Sequence, residues 1–134
     1  MSKLIIAQKF TNKQNKERLS ILGISTDNES GGIAHFENLD YEKLRELVTK
    51  GYADVDDKQN EAPTLGQFLQ FMQKFPEFKA HGYVVSNDRR DRRISIEGLE
   101  GNTQDGVALD EFEDFCGNAD EFECQNGHCR SWWD

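Results

Sequence analysis

The segment from residue 97 to residue 123 most strongly limits how this chain can fold, because its charges are all of one sign. It contains ten carboxylates and no lysine, arginine or histidine. The whole chain has a formal net charge of −9, so the other residues are nearly neutral, with 16 basic side chains against 15 acidic ones. The ten acidic residues of this stretch, called the acidic segment below, are Glu97, Glu100, Asp105, Asp110, Glu111, Glu113, Asp114, Asp120, Glu121 and Glu123.

The middle of the acidic segment predicts a short amphipathic helix that ends near Gly117. Its apolar residues recur at helical spacing, and its other face carries only carboxylates. Like charges at this spacing destabilise an isolated helix by a few tenths of a kcal/mol per pair. Packing of the apolar face must therefore outweigh the repulsion. The apolar residues are Val107, Ala108, Leu109, Phe112, Phe115 and Cys116, and the acidic ones are Asp110, Glu111, Glu113 and Asp114.

The C-terminal residues predict a β-hairpin with a defined register. Asn126-Gly127 is the favoured sequence for a two-residue type I′ turn. The pairing then proceeds outward from the turn, and it places Glu123 opposite Arg130 as a cross-strand ion pair. The other predicted pairs are Gln125 with His128, Cys124 with Cys129, Phe122 with Ser131 and Glu121 with Trp132. Phe122, Cys124, Cys129 and Trp133 share one face, which we expect to pack on the core.

The rest of the chain predicts two helices and four further strands. Asp40 is the expected N-cap of a helix that ends at Gly51, and Thr64 opens another with the capping-box pattern Thr-x-x-Gln. Apolar residues on both faces predict strands over 3–10 and 18–25, joined by a polar loop. Period-2 alternation predicts a second hairpin over 79–86 and 93–99. We therefore expect a single α+β domain over residues 1–134, with an antiparallel sheet built from hairpins and about three helices on one side, in the order β-β-α-α-β-β-α-β-β.

Composition favours a folded domain and limits the possible partners. Fourteen aromatic residues, nine of them Phe, can bury a large area. The sequence shows neither a signal-peptide pattern nor a membrane span, so we expect a cytoplasmic protein. An acidic pI near 4.8 opposes direct binding to nucleic acid or anionic membrane, because both are polyanions. The expected partner is a basic protein surface.

The cysteines allow three interpretations. Cys116, Cys124, His128 and Cys129 supply zinc-type donors, but their spacing fits none of the common zinc fingers. His128 and Cys129 are adjacent on a strand and point to opposite faces, which hinders shared coordination. Cys124 and Cys129 could form a disulfide, although a reducing cytosol opposes it. The favoured interpretation is three free thiols at the edge of the core, with no metal and no cofactor.

No sequence motif for catalysis is present. The chain lacks a nucleophile elbow, a zinc-protease motif and a Gly-rich phosphate loop. An enzyme would have to rely on a pair such as Glu97 with His81, acting as acid and base in a pocket. We therefore expect a non-enzymatic protein and keep the acid–base enzyme as an alternative.

The turn at residues 87–92 and the residue after it carry the only basic cluster, Arg89, Arg90, Arg92 and Arg93. These arginines could bind phosphate or an acidic surface of a partner. They could also form a solvated turn, or pair with the acidic segment of the same molecule. Asp88 and Asp91 reduce the local charge to about +2. A solvated turn, or pairing with the acidic segment, is therefore favoured over binding to a partner.

Carboxylates projecting from a folded helix and its flanks can imitate the spaced charges of DNA, which carries one charge per about 1.7 Å of its axis. The leading hypothesis is an acidic inhibitor that occupies the basic nucleic-acid-binding surface of a nuclease. Inhibitors of restriction or CRISPR nucleases and immunity proteins share this general character, although no motif here matches such a family. The rival hypothesis is an immunity-type or scaffold module that binds through aromatic residues, with Phe78 exposed beside the tryptophans. The expected partner-binding residues are Asp110, Glu111, Glu113, Asp114, Asp120, Glu121, Glu123, Trp132 and Trp133.

Overall fold

A computed structural model describes residues 9–134 and shows an α+β fold, as predicted. Within these residues, five strands form one antiparallel sheet in the order β1-β2-β3-β5-β4. No helix within residues 9–134 combines the length and apolar character that crossing a bilayer requires. The helices are α1 (Asn12–Ile21), α2 (Tyr41–Thr49), α3 (Leu65–Lys74) and α4 (Gly106–Phe115), and the strands are β1 (Ile33–Leu39), β2 (Lys79–Val85), β3 (Ile94–Asn102), β4 (Glu121–Gln125) and β5 (His128–Trp132).

The helices cover one face of the sheet and leave the other face open. On the covered face, Ala80 of β2 lies opposite Leu99 of β3, and Val84 lies opposite Ile94, all with fully buried side chains. Lys79, His81 and Tyr83, which alternate with them along β2, remain only partly buried on the other face. The side-chain period of two in a strand explains this division.

Aromatic side chains from α3, α4 and the C-terminus form the centre of the core. Phe78 stacks on Phe112 with ring centroids 4.4 Å apart, and Phe71 stacks on Phe115 at 4.6 Å. The rings of Phe68 and Trp133 meet edge-on at 5.6 Å. Phe68 and Met72, on the inner side of α3, are fully buried.

The structure corrects the N-terminal part of the prediction. The loop predicted before residue 18 and the strand predicted over 18–25 are wrong, because this region contains α1. Thr11 and Gln14 form a capping box, in which each side chain accepts a hydrogen bond from the other's backbone N–H, at 3.1 and 2.9 Å. Leu19 and Leu22 then pack on the core. The strand predicted over 3–10 lies outside the described residues, except for its last two positions.

Strand β1, which the sequence analysis did not predict, pairs with β2 and forms one edge of the sheet. Ala34 and Phe36 point into the core, while His35 and Glu37 face solvent. The alternation breaks at Asn38, which has a positive φ of 60°, so that Leu39 is the next buried residue. Because of this irregularity, buried and exposed residues alternate over only a short stretch of β1, and the sequence pattern is too short to predict a strand.

The predicted helix signals are confirmed for α2, α3 and α4. Asp40 caps α2 by accepting a hydrogen bond from the Lys43 N–H at 2.9 Å, and Gly51 after this helix has a φ of 80°. Thr64 and Gln67 form the expected capping box of α3. Asp105 caps α4, which ends just before Gly117. Local capping chemistry therefore sets these boundaries.

The C-terminal hairpin has the predicted register at all five pairs of β4 and β5. Asn126 and Gly127 both have positive φ, as a type I′ turn requires. Cys124 and Cys129 face each other with Cα atoms 4.0 Å apart and form a disulfide, so the prediction of three free thiols is wrong. Directly opposed residues on neighbouring strands are close enough to be bridged.

We predict that removing the disulfide with the double variant Cys124→Ser/Cys129→Ser lowers the free energy of unfolding by about 2 kcal/mol, because the closed loop restricts the unfolded chain. Urea unfolding, followed by tryptophan fluorescence, measures the effect. Reduction of the wild-type protein should give the same shift, whereas reduction of the variant should give none. Identical midpoints for oxidised and reduced wild-type protein would contradict the prediction.

Candidate functional site

Helix α4 directs one row of carboxylates to solvent. Its apolar side is anchored by Ala108 and Phe112, which are fully buried. Asp110, Glu113 and Asp114 are exposed on the outer side of the same helix. Positions three and four residues apart lie on one helical face, so these carboxylates form a continuous acidic row.

Strand β4 continues this acidic character at the edge of the sheet. Glu121 and Glu123 are exposed, and within residues 9–134 β4 pairs only with β5. Phe122 contacts Phe112 of α4 at a centroid distance of 5.5 Å but remains 39% exposed. A groove of about 490 Å³ runs between the two elements, lined by Leu109, Asp110, Glu113, Phe122, Glu123 and Cys124.

Five of the ten carboxylates in the acidic segment have structural partners. Glu111 forms an ion pair with Lys74 at 2.7 Å, and Asp120 accepts a hydrogen bond from the Asp134 N–H at 2.7 Å. Asp105 is the cap of α4. Glu100 lies 2.9 Å from His128 and 3.9 Å from Arg130, so the predicted Glu123–Arg130 ion pair is wrong. Glu97, the fifth, lies 4.0 Å from His35.

The other five carboxylates make no ion pair within the part of the chain that the structure describes. They lie on α4 and β4, on both sides of the groove. Of the predicted contact residues, Glu111 and Asp120 are thus engaged within the fold, while the remaining acidic ones are available. We call these five residues the acidic surface: Asp110, Glu113, Asp114, Glu121 and Glu123.

The arginine-rich turn does not neutralise the acidic surface. Arg89 forms a bidentate pair with Asp91, with both N–O distances at 2.9 Å, and Arg93 reaches the same carboxylate at 3.2 Å. Arg93 also donates a hydrogen bond to the Tyr83 hydroxyl. These contacts lower the pKa of Asp91, chiefly through its hydrogen bond with Arg89. Asp91 therefore engages two of the four arginines within the turn itself.

A larger cavity of about 830 Å³ lies beside this turn, but its charges are mixed. Arg18 is fully buried there, with its guanidinium 5.1 Å from the Phe10 ring and bonded to the Asn15 side chain. Burial lowers the pKa of Arg18 to about 10, so it stays charged at neutral pH. Asp57 also lines the cavity, and burial raises its pKa. Because arginines and aspartates line the same cavity, it selects neither an anionic nor a cationic ligand.

The tryptophans do not form the predicted aromatic surface. Trp133 is 1% exposed, and its indole N–H donates a hydrogen bond to Asn118 Oδ1 at 3.2 Å. Phe78, which the rival hypothesis required at the surface, is fully buried. Trp132 is half-buried and faces the open side of the sheet. The exposed aromatic ring beside the acids is instead Phe122, which the prediction placed on the core.

The candidate zinc donors are not assembled into one site. Cys124 and Cys129 are bonded to each other, and Cys116 is a separate buried thiol. The His128 ring lies between Asn102 Oδ1 and Glu100, at 2.9 Å from each. Among residues 9–134, no group of three or more potential ligands is positioned to hold a metal ion.

Glu97 and His81 do share a small pocket of about 210 Å³ on the open face of the sheet. Glu97 occupies an irregularity of β3, where the register with β2 shifts between His81 and Gly82. The Nε2 atom of His81 is 3.1 Å from the Ser131 carbonyl oxygen, which accepts its hydrogen bond. The Glu97 carboxylate instead approaches His35. The structure brings both residues to one pocket but gives them different partners.

No protein-family model, curated protein or solved structure matches this chain in the comparisons. The site must therefore be interpreted from its own geometry. That geometry is an α+β fold with a partly apolar groove between α4 and the edge strand β4, and with the acidic surface around the groove.

The environment of His81 predicts a loss of stability in mild acid. Burial, and then the charge of Arg130, lower the pKa of His81 from its ordinary value of 6.5. The unfolded chain thus binds this proton more readily, and the folded state loses stability as pH falls from about 7 to 5. Chemical denaturation across this range measures the slope.

The variant His81→Gln, whose amide can keep the hydrogen bond to Ser131, should show a shallower pH slope than the wild-type protein. An unaltered slope in His81→Gln would rule out this assignment.

Cys116 should be unreactive in the native protein. Burial raises its pKa to about 11, so it is protonated at pH 8 and inaccessible to reagents. We expect mass spectrometry after iodoacetamide treatment to show no alkylation of the native protein. Denaturation without reductant should then expose one reactive thiol, and reduction should raise the number to three. Rapid alkylation under native conditions would oppose this expectation.

Proposed function

We propose that this protein is a non-enzymatic interaction domain whose acidic surface binds a basic protein surface. The observation that carries the proposal is the concentration of unpaired carboxylates on α4 and β4, on both sides of a partly apolar groove. A fixed negative surface attracts a basic partner and accelerates its association. The exposed ring of Phe122 adds an apolar contact inside the charged rim.

The partner that best suits this surface is a nuclease with a basic nucleic-acid-binding groove. By occupying such a groove, the acidic surface would inhibit the nuclease as a mimic of the phosphate backbone. Acidic inhibitors of restriction and CRISPR nucleases, and immunity proteins, act on partners of this kind. The negative charge of the whole chain supports a protein partner over direct binding to nucleic acid or anionic membrane.

We retain the cytoplasm as the proposed compartment, where such a nuclease would be met. The Cys124–Cys129 disulfide weighs against a reducing environment, because disulfides persist mainly in oxidising compartments. Alkylation of free thiols at the moment of cell lysis shows whether the disulfide is present in the cell, and so tests the proposed compartment. Three alkylated cysteines per chain support the cytoplasm, whereas a single one contradicts it.

The function is tested by neutralising the acidic surface. A variant with all five carboxylates changed to amides removes five of the nine excess negative charges. Inhibition is measured as DNA cleavage by basic restriction and CRISPR nucleases of the native host, with the protein added. We expect the wild-type protein to inhibit one of them, at least about tenfold less effectively at roughly 200 mM than at 50 mM salt. The variant is Asp110→Asn/Glu113→Gln/Asp114→Asn/Glu121→Gln/Glu123→Gln.

A control of equal net charge separates the acidic surface from the charge of the whole molecule. It neutralises five exposed carboxylates that make no ion pair within residues 9–134 and lie outside α4 and β4. The control should retain inhibition and the first variant should lose it. Equal inhibition by both variants would contradict the proposal. The control is Asp27→Asn/Glu42→Gln/Asp56→Asn/Glu61→Gln/Asp134→Asn.

A further inference from the structure

The edge strand β4 has backbone groups that no part of the described chain occupies. In an antiparallel ladder, hydrogen-bonded pairs alternate with non-hydrogen-bonded pairs, and Cα atoms are closer in the latter. The 4.0 Å separation of the Cys124 and Cys129 Cα atoms identifies a non-hydrogen-bonded pair. The alternation then makes Phe122 opposite Ser131 another such pair.

The N–H and C=O groups of Phe122 and Cys124 therefore point away from β5, toward the outside of the sheet. No described residue donates to them or accepts from them. All five residues of β4 are exposed, so no helix or loop among the described residues covers this edge. An uncovered row of this kind can pair with an additional strand.

Charge determines which strand can be added. The side chains of Glu121 and Glu123 lie on one face of β4, and Asp110 and Glu113 of α4 lie beside Phe122 on the other face. An added strand would thus meet carboxylates with both of its faces. A second copy of β4 would bring like charges together, which is unfavourable at directly opposed positions. A basic extended segment would be complementary on both faces.

We propose that β4 binds its partner by pairing with an extended, lysine- or arginine-rich segment of that partner, which becomes a sixth strand of the sheet, antiparallel to β4 as in the four strand pairs of the described residues. This inference rests on the proposed function and specifies how the acidic surface engages its partner. The partner residues that pair with Phe122 and Cys124 place their side chains in the groove, because directly opposed residues share a face. The alternate residues then face Glu121 and Glu123.

The first test uses the wild-type protein and a capped eight-residue peptide of alternating lysine and valine. The geometry favours valine in the groove beside Phe122 and Leu109, with lysine on the opposite face. Two further peptides carry backbone N-methyl groups on all valines or on all lysines. Each modification removes alternate N–H donors and leaves the net charge unchanged. Affinity is measured by NMR titration at low and high salt.

We expect N-methylation of the valines to weaken binding at least about tenfold, and N-methylation of the lysines to change it by less than about threefold. In the complex with the unmethylated peptide, hydrogen exchange of the Phe122 and Cys124 amides should slow at least about tenfold. Equal affinities of the two methylated peptides would overturn strand pairing. An unmethylated peptide that binds with no salt dependence would contradict the proposed function itself.

The second test changes the protein with a matched pair of variants at one position. Phe122→Ala removes the ring but keeps the outward N–H, whereas Phe122→Pro removes both. Proline is tolerated on an edge strand where its nitrogen faces outward. We expect Phe122→Pro to bind the unmethylated peptide at least about fivefold more weakly than Phe122→Ala does. Protected amides of β5 confirm that the hairpin is intact, and equal binding by both variants would overturn the inference.

Discussion

The stacking of aromatic rings between α4 and the rest of the core is the interaction on which the acidic surface depends. The Phe112 ring lies 4.4 Å from Phe78 and nearly parallel to it, and Phe115 lies 4.6 Å from Phe71. Such pairs contribute about 0.5–1.5 kcal/mol beyond the burial of their area. This attraction exceeds the repulsion among the carboxylates of α4, which is a few tenths of a kcal/mol per pair. The apolar side of the helix is thereby fixed, and its charges can face only solvent.

The sheet order then brings β4 beside this helix. Strand β5 lies between β3 and β4, so the more acidic strand of the hairpin forms the edge. The contact of β5 with β3 requires Gly98, because a Cβ atom there would overlap the Ser131 carbonyl. The backbone N–H of Trp133 donates a hydrogen bond to the Glu97 carbonyl at 2.7 Å. This bond extends the contact between the two segments beyond the end of β5. Gly101 likewise has no room for a Cβ atom beside the Glu77 carbonyl, and β3 continues past it to residue 102.

The features that could be predicted from the sequence are those set by neighbouring residues. Asn126-Gly127 determined the register of the hairpin, and Asp40 and Thr64 marked the starts of two helices. The error over residues 18–25 arose because apolar residues there fit either a strand or a helix. The same Thr-x-x-Gln signal at Thr11 identifies the helix. Strand order, the break at Asn38 and the partners of individual carboxylates depend on distant contacts, which no local pattern encodes.

The distribution of partners among the carboxylates supports the proposed binding surface over an acidic coat that serves only solubility. Half of the acidic segment is used within the fold, as a helix cap, an ion pair with Lys74, contacts with histidines and a bond to the C-terminal backbone. The half that remains lies on the two elements that border one groove, beside a ring that is 39% exposed. Solubility requires charge but not an apolar side chain among the charges. An exposed Phe122 within a negative rim has the composition of a contact surface, with an apolar centre and a polar margin.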